Sequence, residues 1–119
     1  MRTAVLAAAC LAASVATAPA QELAGTYRAS GKSFEGQTYS GTAEIIITSD
    51  NTCKINWKIG REVWRGICMR SGSVFAATYR FGNLSGLLIY EIKDDGSLEG
   101  TWTIADKSGV GTETLKPMR

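Results

Sequence analysis

The most informative absence in this sequence is histidine, of which the chain has none. Histidine is the commonest general base of enzymes and the commonest neutral metal ligand, so both kinds of site lose their usual residue. No nucleophile, base and orienting group can be assembled from the remaining side chains. No glycine-rich phosphate loop leads from a strand into a helix. We therefore predict that the protein is not an enzyme and holds no metal or other cofactor.

A large net charge and long apolar runs are also missing. The net charge at neutral pH is only +2, which gives no overall attraction to nucleic acid. No segment reaches the roughly 18 consecutive apolar residues that a membrane-spanning helix needs. These two absences argue against a nucleic-acid partner and against integral membrane insertion through a helix.

The first twenty residues have the three-part pattern of a bacterial-type export signal. Arg2 gives a positive start, residues 4–16 form a short apolar run, and Ala18-Pro19-Ala20 places small residues where a signal peptidase reads. We predict cleavage after Ala20, with Ala18 as the second choice. The signal peptide is then 1–20, the domain is 21–119, and the protein is periplasmic or secreted. Lipidation at Cys10 fits poorly, because the apolar run before it is too short.

The rest of the chain has the pattern of an all-β domain. It contains only one proline, Pro117, and no segment with a convincing helical period. Apolar and polar residues instead alternate with period two, as they do in half-buried strands. We predict eight strands, at 24–30, 38–48, 52–60, 61–70, 73–81, 84–93, 97–105 and 109–116.

The predicted turns are short, and their lengths agree with the alternation of inward and outward residues in each pair of consecutive strands. They are expected to be centred on Gly60-Arg61, Ser71-Gly72, Gly82-Asn83 and Asp94-Asp95-Gly96. The expected cross-strand pairs are Ile47 with Cys53, Cys53 with Cys68, Trp57 with Trp64, Cys68 with Phe75, Trp64 with Tyr79, Phe81 with Leu84, Ala77 with Leu88, Phe75 with Tyr90, Leu88 with Trp102, and Ile92 with Leu98.

Because every connection is a hairpin, the predicted strand order is up-and-down and antiparallel. An open meander of eight strands would expose two edges, and closure into a barrel removes them. We therefore predict a single eight-stranded antiparallel up-and-down β-barrel. An outer-membrane barrel is disfavoured, since outward residues such as Glu44, Lys58 and Arg80 would face lipid.

The inward face of this barrel is rich in both aromatic residues and glycine. Two large rings are expected to lie across from inward glycines, Tyr79 over Gly86 and Trp102 over Gly111. An eight-stranded barrel is just wide enough to be filled by side chains or to hold one small apolar molecule. We expect mainly a packed core. The candidates for lining a ligand site are Trp57, Trp64, Tyr79, Tyr90 and Trp102.

Cys53 and Cys68 face each other in the expected register, and an exported protein favours a disulfide between them. The closed loop of about 15 residues would add roughly 3 kcal/mol to the free energy of unfolding. We expect a four-residue loop from Ile59 to Glu62, because it would make the cysteine pair the closer, non-hydrogen-bonded kind. A structural role is favoured over a redox role, which would want an activating neighbour.

Two further clusters of charged residues are candidate sites. The hairpin of the third and fourth strands carries Lys54, Lys58, Arg61 and Arg65, which could contact an anionic partner or simply form a solvated face. Glu113 is predicted to face inward, with Glu62 and Arg70 as candidate neighbours at one end of the barrel. A buried acid needs a partner, which Arg70 or a tyrosine hydroxyl could supply.

Several segments resemble a family of small exported bacterial proteins often labelled fibronectin-binding protein. The resemblance rests on Tyr39-Ser40-Gly41-Thr42-Ala43-Glu44-Ile45, Asn56-Trp57-Lys58-Ile59-Gly60, Asp95-Gly96-Ser97-Leu98-Glu99-Gly100-Thr101-Trp102 and Gly109-Val110-Gly111-Thr112-Glu113-Thr114-Leu115. It implies adhesion to host matrix and carries no catalytic residues. The barrel also resembles the avidin and lipocalin architecture, a likeness of fold alone.

These observations leave three functions open. The first is a binding module, monomeric or weakly oligomeric, that contacts a protein or an anionic glycan through its surface. The second is an inhibitor of an exogenous enzyme such as lysozyme, and the third is a carrier of a small apolar ligand in the barrel mouth. The longest loop, residues 31–37, holds Phe34, which could contact a partner, act as a lid or plug the open end.

Overall fold

The computed structural model describes residues 23–118, which form eight antiparallel strands. The signal peptide predicted for residues 1–20 lies outside the described residues. No helix of residues 23–118 has the length and apolar character needed to cross a membrane. The strands are β1 Gly25–Lys32, β2 Thr38–Ile47, β3 Thr52–Ile59, β4 Glu62–Ser71, β5 Val74–Phe81, β6 Leu84–Ile92, β7 Leu98–Ile104 and β8 Gly111–Pro117.

The strands close into one barrel in chain order, which confirms the predicted architecture. The closure is made by β1 and β8, which pair from Tyr27 opposite Pro117 to Lys32 opposite Thr112. Neither terminal strand is left with a free edge, so the exposed ladder groups that favour aggregation are removed.

The turn signals fix most of the register as the alternating pattern predicts. Trp57 lies opposite Trp64, Phe81 opposite Leu84, and Leu88 opposite Trp102. Two-residue turns at Gly60-Arg61 and Gly82-Asn83 begin with a glycine at positive φ. Type II′ turns, whose twist suits a hairpin, require glycine at this first central position.

Two details of the predicted register are wrong. The β4–β5 turn is Gly72-Ser73 and not Ser71-Gly72, so Cys68 lies opposite Ala77 and Arg70 opposite Phe75. Gly72 has a φ of 61° and therefore takes the first central position of the turn. The shift is two residues, so the same side chains still face inward. The expected four-residue loop is also absent. Ile59, the last residue of β3, pairs with Glu62, the first residue of β4, and leaves a two-residue turn between them.

The side chains inside the barrel form a tightly packed core toward one end. This closed end lies beside the β2–β3, β4–β5 and β6–β7 connections. The predicted disulfide between Cys53 and Cys68 is present there, with Cα atoms 5.0 Å apart. The most deeply buried large side chains are Ile45, Ile55, Phe75, Tyr90, Leu98 and Leu115.

Candidate functional site

A cavity of about 230 Å³ occupies the opposite end of the barrel, beside the β1–β2, β3–β4 and β7–β8 connections. The expectation that the rings fill the interior is therefore wrong for this end. Four of the five predicted interior residues line the cavity: Trp57, Trp64, Tyr79 and Trp102. The fifth, Tyr90, is 1% exposed and lies beneath it. The remaining lining residues are Ser33, Tyr39, Ile59, Glu62, Leu88, Ile104 and Glu113.

The cavity exists because large side chains lie flat against inner-wall glycines. Tyr79 lies opposite Gly86 and Trp102 opposite Gly111, as predicted. A Cβ atom added to either glycine would overlap the ring that covers it. A ring seated on a glycine lies against the wall and does not reach across the lumen. The same residues that were expected to fill the barrel therefore leave its centre open.

Two further lining residues are seated in the same way. The ring of Tyr39 covers Gly31, its partner across the β1–β2 ladder, and the side chain of Ile59 covers Gly41. Residues of β2, β3, β5 and β7 thus each contribute one side chain that a facing glycine accommodates. This arrangement surrounds the cavity with apolar surface.

The one charged group on the floor of the cavity is Glu113, which is 6% exposed. Its Oε1 accepts a hydrogen bond from the hydroxyl of Tyr39 at 2.7 Å. Its Oε2 accepts one from Nε1 of Trp57 at 2.8 Å and one from the hydroxyl of Tyr90 at 2.5 Å. A tyrosine partner for Glu113 was one of the two predicted possibilities.

The other predicted possibility, Arg70, is wrong. Nε of Arg70 donates to the carbonyl of Gly72 at 2.8 Å, beside the β4–β5 turn at the closed end. Glu62 does lie at the open end, where its Oε1 accepts a hydrogen bond from Nε1 of Trp64 at 3.1 Å. Burial raises the pKa of the Glu113 carboxyl, and the three hydrogen bonds lower it in part.

The tyrosines around Glu113 keep their protons at neutral pH. Burial, with the nearby Glu113 carboxylate, raises the pKa of Tyr39, Tyr79 and Tyr90. The hydroxyl of Tyr79 donates to the backbone carbonyl of Thr103 at 2.6 Å. These phenols therefore stay un-ionised at neutral pH and act as hydrogen-bond donors.

All three indole N–H groups are already bonded within the protein. Trp57 and Trp64 donate to carboxylates, and Trp102 donates to the carbonyl of Thr112 at 3.2 Å. Tyr79 lies edge-on to both Trp57 and Trp64, with ring centroids 5.5 Å apart in each pair. A ligand in the cavity would thus meet mainly aromatic carbon surface, together with the carboxyl groups of Glu113 and Glu62.

Phe34 folds back onto the rim of the open end. Its ring centroid lies 5.0 Å from that of Trp102, and its side chain covers Gly109 in the β7–β8 connection. It is partly buried and does not line the cavity itself. Phe34 therefore supports the outer side of a lining residue.

The four basic residues predicted as a contact surface lie together outside the barrel. Lys54, Lys58, Arg61 and Arg65 are all exposed. In the part of the chain that the structure describes, ion pairs are made only by Lys93, which contacts two glutamates. None of the four cations therefore forms an ion pair, and Arg65 lies opposite Arg80. A like-charge pair of this kind is mildly destabilising unless an anion bridges it.

An exposed apolar area on the outer wall was not predicted. It is formed by Ile67 and Met69 on β4, Val74 on β5, and Leu87 and Ile89 on β6. Apolar residues at outward positions of β4 and β6 were the available signal. They were missed because those strands have apolar residues on both faces.

No protein-family model and no curated protein matches the chain. Among residues 23–118, no group of three or more acidic or cysteine side chains could hold a metal ion. Solved structures similar to this chain include a redesigned β-barrel, b11L5F_LGL, with a TM-score of 0.74 and 18% identity over 83% of this chain and 94% of that one.

Two further structures have the same barrel shape. The redesigned barrel mFAP1, bound to DFHBI, has a TM-score of 0.69 and 21% identity over 81% of this chain and 95% of its own. The fluorescent protein UnaG has a TM-score of 0.54 and 12% identity over 82% of this chain and 98% of its own. At these identities the likeness is one of fold.

Proposed function

We propose that this protein is a non-catalytic binding protein that holds one small, largely apolar molecule in the open end of its barrel. The single observation that carries the proposal is the cavity of about 230 Å³ with its aromatic walls. An engineered apolar cavity of about 150 Å³ in another protein is large enough for benzene. One or two fused rings therefore fit the space here. That mFAP1, a barrel of similar shape, is bound to DFHBI supports the proposal.

Titration with 1-aminonaphthalene, an uncharged two-ring dye whose fluorescence changes in apolar surroundings, tests this function. The wild type should bind it, and Ile104→Phe, which fills part of the cavity, should weaken binding about tenfold or more, the cost of excluding a ring from its site. Ile89→Phe adds the same ring at an outward position that is 57% exposed and is the matched control. Equal binding by both variants, or none by the wild type, would contradict the proposal.

A second candidate is contact with an anionic glycan or a host-matrix protein through Lys54, Lys58, Arg61 and Arg65. It is favoured because none of the four forms an ion pair and because Arg65 lies opposite Arg80. Pull-downs with heparin and with fibronectin test it, using a variant with all four residues changed to serine. Binding should weaken with salt and be lost in the variant. Binding that survives the change would contradict it. Inhibition of lysozyme stays a prediction.

A further inference from the structure

The Glu113 carboxyl is buried without a positively charged partner. The ion pairs of residues 23–118 lie at Lys93, on the outer surface, and the groups that contact Glu113 are two phenols and one indole. Hydrogen bonds offset part of the cost of burying a carboxylate, but they leave its charge uncompensated. A ligand that brought a positive charge would compensate it.

Glu113 also has hydrogen-bonding capacity left over. Two carboxylate oxygens offer about four lone-pair sites. Oε2 receives both Trp57 and Tyr90, whereas Oε1 receives only Tyr39. One acceptor site therefore remains on Oε1. Because Glu113 lines the cavity, a donor on a bound molecule can reach this oxygen.

The other residues of the cavity wall also favour a positively charged ligand. The only ionisable groups on it besides tyrosine are Glu62 and Glu113, and no lysine or arginine of residues 23–118 lines it. Trp57, Trp64 and Trp102 line the cavity, and because their N–H groups donate to protein acceptors they offer it mainly ring carbon. The face of an aromatic ring attracts a cation, most strongly for tryptophan.

We propose that the cavity selects organic cations: flat apolar molecules with one ammonium group that donates a hydrogen bond to Oε1 of Glu113. The inference deepens the proposed function and rests on it, since it names the class of ligand for the same site. It sets the inside of the barrel against its basic outer hairpin, which would attract anions.

Three probes of nearly equal shape separate the inference from the function on which it rests. They are 1-naphthylmethylamine, 1-naphthylmethanol and 1-naphthoate, titrated into the purified protein at neutral pH. The ammonium group adds charge attraction to its hydrogen bond with Glu113, so the cation should bind about tenfold or more tightly than the alcohol, and the anion should bind weakest. This order needs no variant.

Equal affinity for the three probes, or preference for the alcohol or the naphthoate, would overturn the inference and leave the proposed function standing. Failure of all three together with 1-aminonaphthalene would overturn both. Glu113→Gln should lose the preference for the cation while it still binds the alcohol. Its amide oxygen can accept from Trp57 and Tyr90, and its NH₂ group can donate to Tyr39. Glu44→Gln, at an exposed outward position of β2, is the matched control and should keep the preference.

Discussion

The two ends of the barrel interior are built by the same eight strands and differ in how side chains meet across the lumen. At the closed end, Phe75, Leu98 and Leu115 are fully buried and pack against one another. At the open end, Trp102 and Tyr79 lie flat on glycines and leave a cavity. Ring content alone does not decide whether a barrel is filled. A glycine opposite the ring allows the ring to lie along the wall, and the rotamer of the ring then determines whether the lumen stays open.

The ends differ in polarity as well. The closed end has apolar side chains and a disulfide, whereas the buried carboxyl of Glu113 lies toward the open end. Buried charge and empty volume both lower stability, and proteins retain such features where binding needs them. We therefore expect most of the stability to come from the closed end and place the proposed binding at the open end.

The largest expected effect is loss of packing at the closed end. Leu98 and Ile104 lie on the same strand, β7, at opposite ends of the interior. Leu98→Ala should lower the free energy of unfolding by about 2–5 kcal/mol, because Leu98 is fully buried and leaves a cavity. Ile104→Ala should cost about 1 kcal/mol, a typical value for a point change, since Ile104 already borders empty space. Denaturant unfolding measures both, and equal losses would contradict the division of roles.

The next effect concerns the disulfide. Changing Cys53 and Cys68 to serine should lower the free energy of unfolding by roughly 3 kcal/mol, as expected for a loop closed over a separation of 15 residues. Affinity for the neutral dye should not change, because the bond lies away from the cavity. A variant that unfolds as expected but also loses the dye would show that the two ends are coupled.

A smaller effect is expected from adding a methyl group to an inner-wall glycine that is covered by a ring. Gly86→Ala places a methyl group where the end of the Tyr79 ring lies, so the ring must move into the cavity. The stability loss should be about 1 kcal/mol, the low end for overpacking, while dye binding falls markedly. The outward neighbour gives the control, Ser85→Ala. Unchanged dye affinity in Gly86→Ala would contradict the explanation of the cavity.

The smallest effect is a pH dependence from Glu113. Because the folded-state pKa of Glu113 lies above its ordinary value of 4.5, the folded protein binds this proton more tightly than the unfolded chain. The free energy of unfolding should therefore fall as pH rises from 4.5 through the raised pKa. Glu113→Gln should lack this fall. Parallel pH curves for the two proteins, measured by urea unfolding up to neutral pH, would contradict it.

Sequence reasoning predicted the barrel because turn signals and alternating faces constrain each other. Gly60, Gly82 and Gly96 lie where their positive φ sets the register of three hairpins. The pattern failed at Gly72 because moving that turn by one residue shifts the register by two, which keeps every side chain on its own face. The alternation of inward and outward residues can exclude only register shifts by an odd number of residues.

The site was predicted in part. The inward position of Glu113 and the pairing of Tyr79 with Gly86 follow from the register. The cavity does not follow, because it depends on whether a ring lies along the wall or crosses the lumen, which is a matter of rotamer. Arg70 was misplaced because it lies at the opposite end of β4 from Glu62. At that closed end its side chain donates to the carbonyl of Gly72 in the β4–β5 turn.

The engaged indole N–H groups have a consequence for the heat of binding. Water that enters the cavity would meet mostly apolar side chains and few polar groups, so it would form fewer hydrogen bonds than in bulk. Release of such poorly bonded water by a ligand gains enthalpy, and the buried apolar surface makes the heat-capacity change negative. The protein should thus bind its ligand exothermically at room temperature, with a heat that grows on warming.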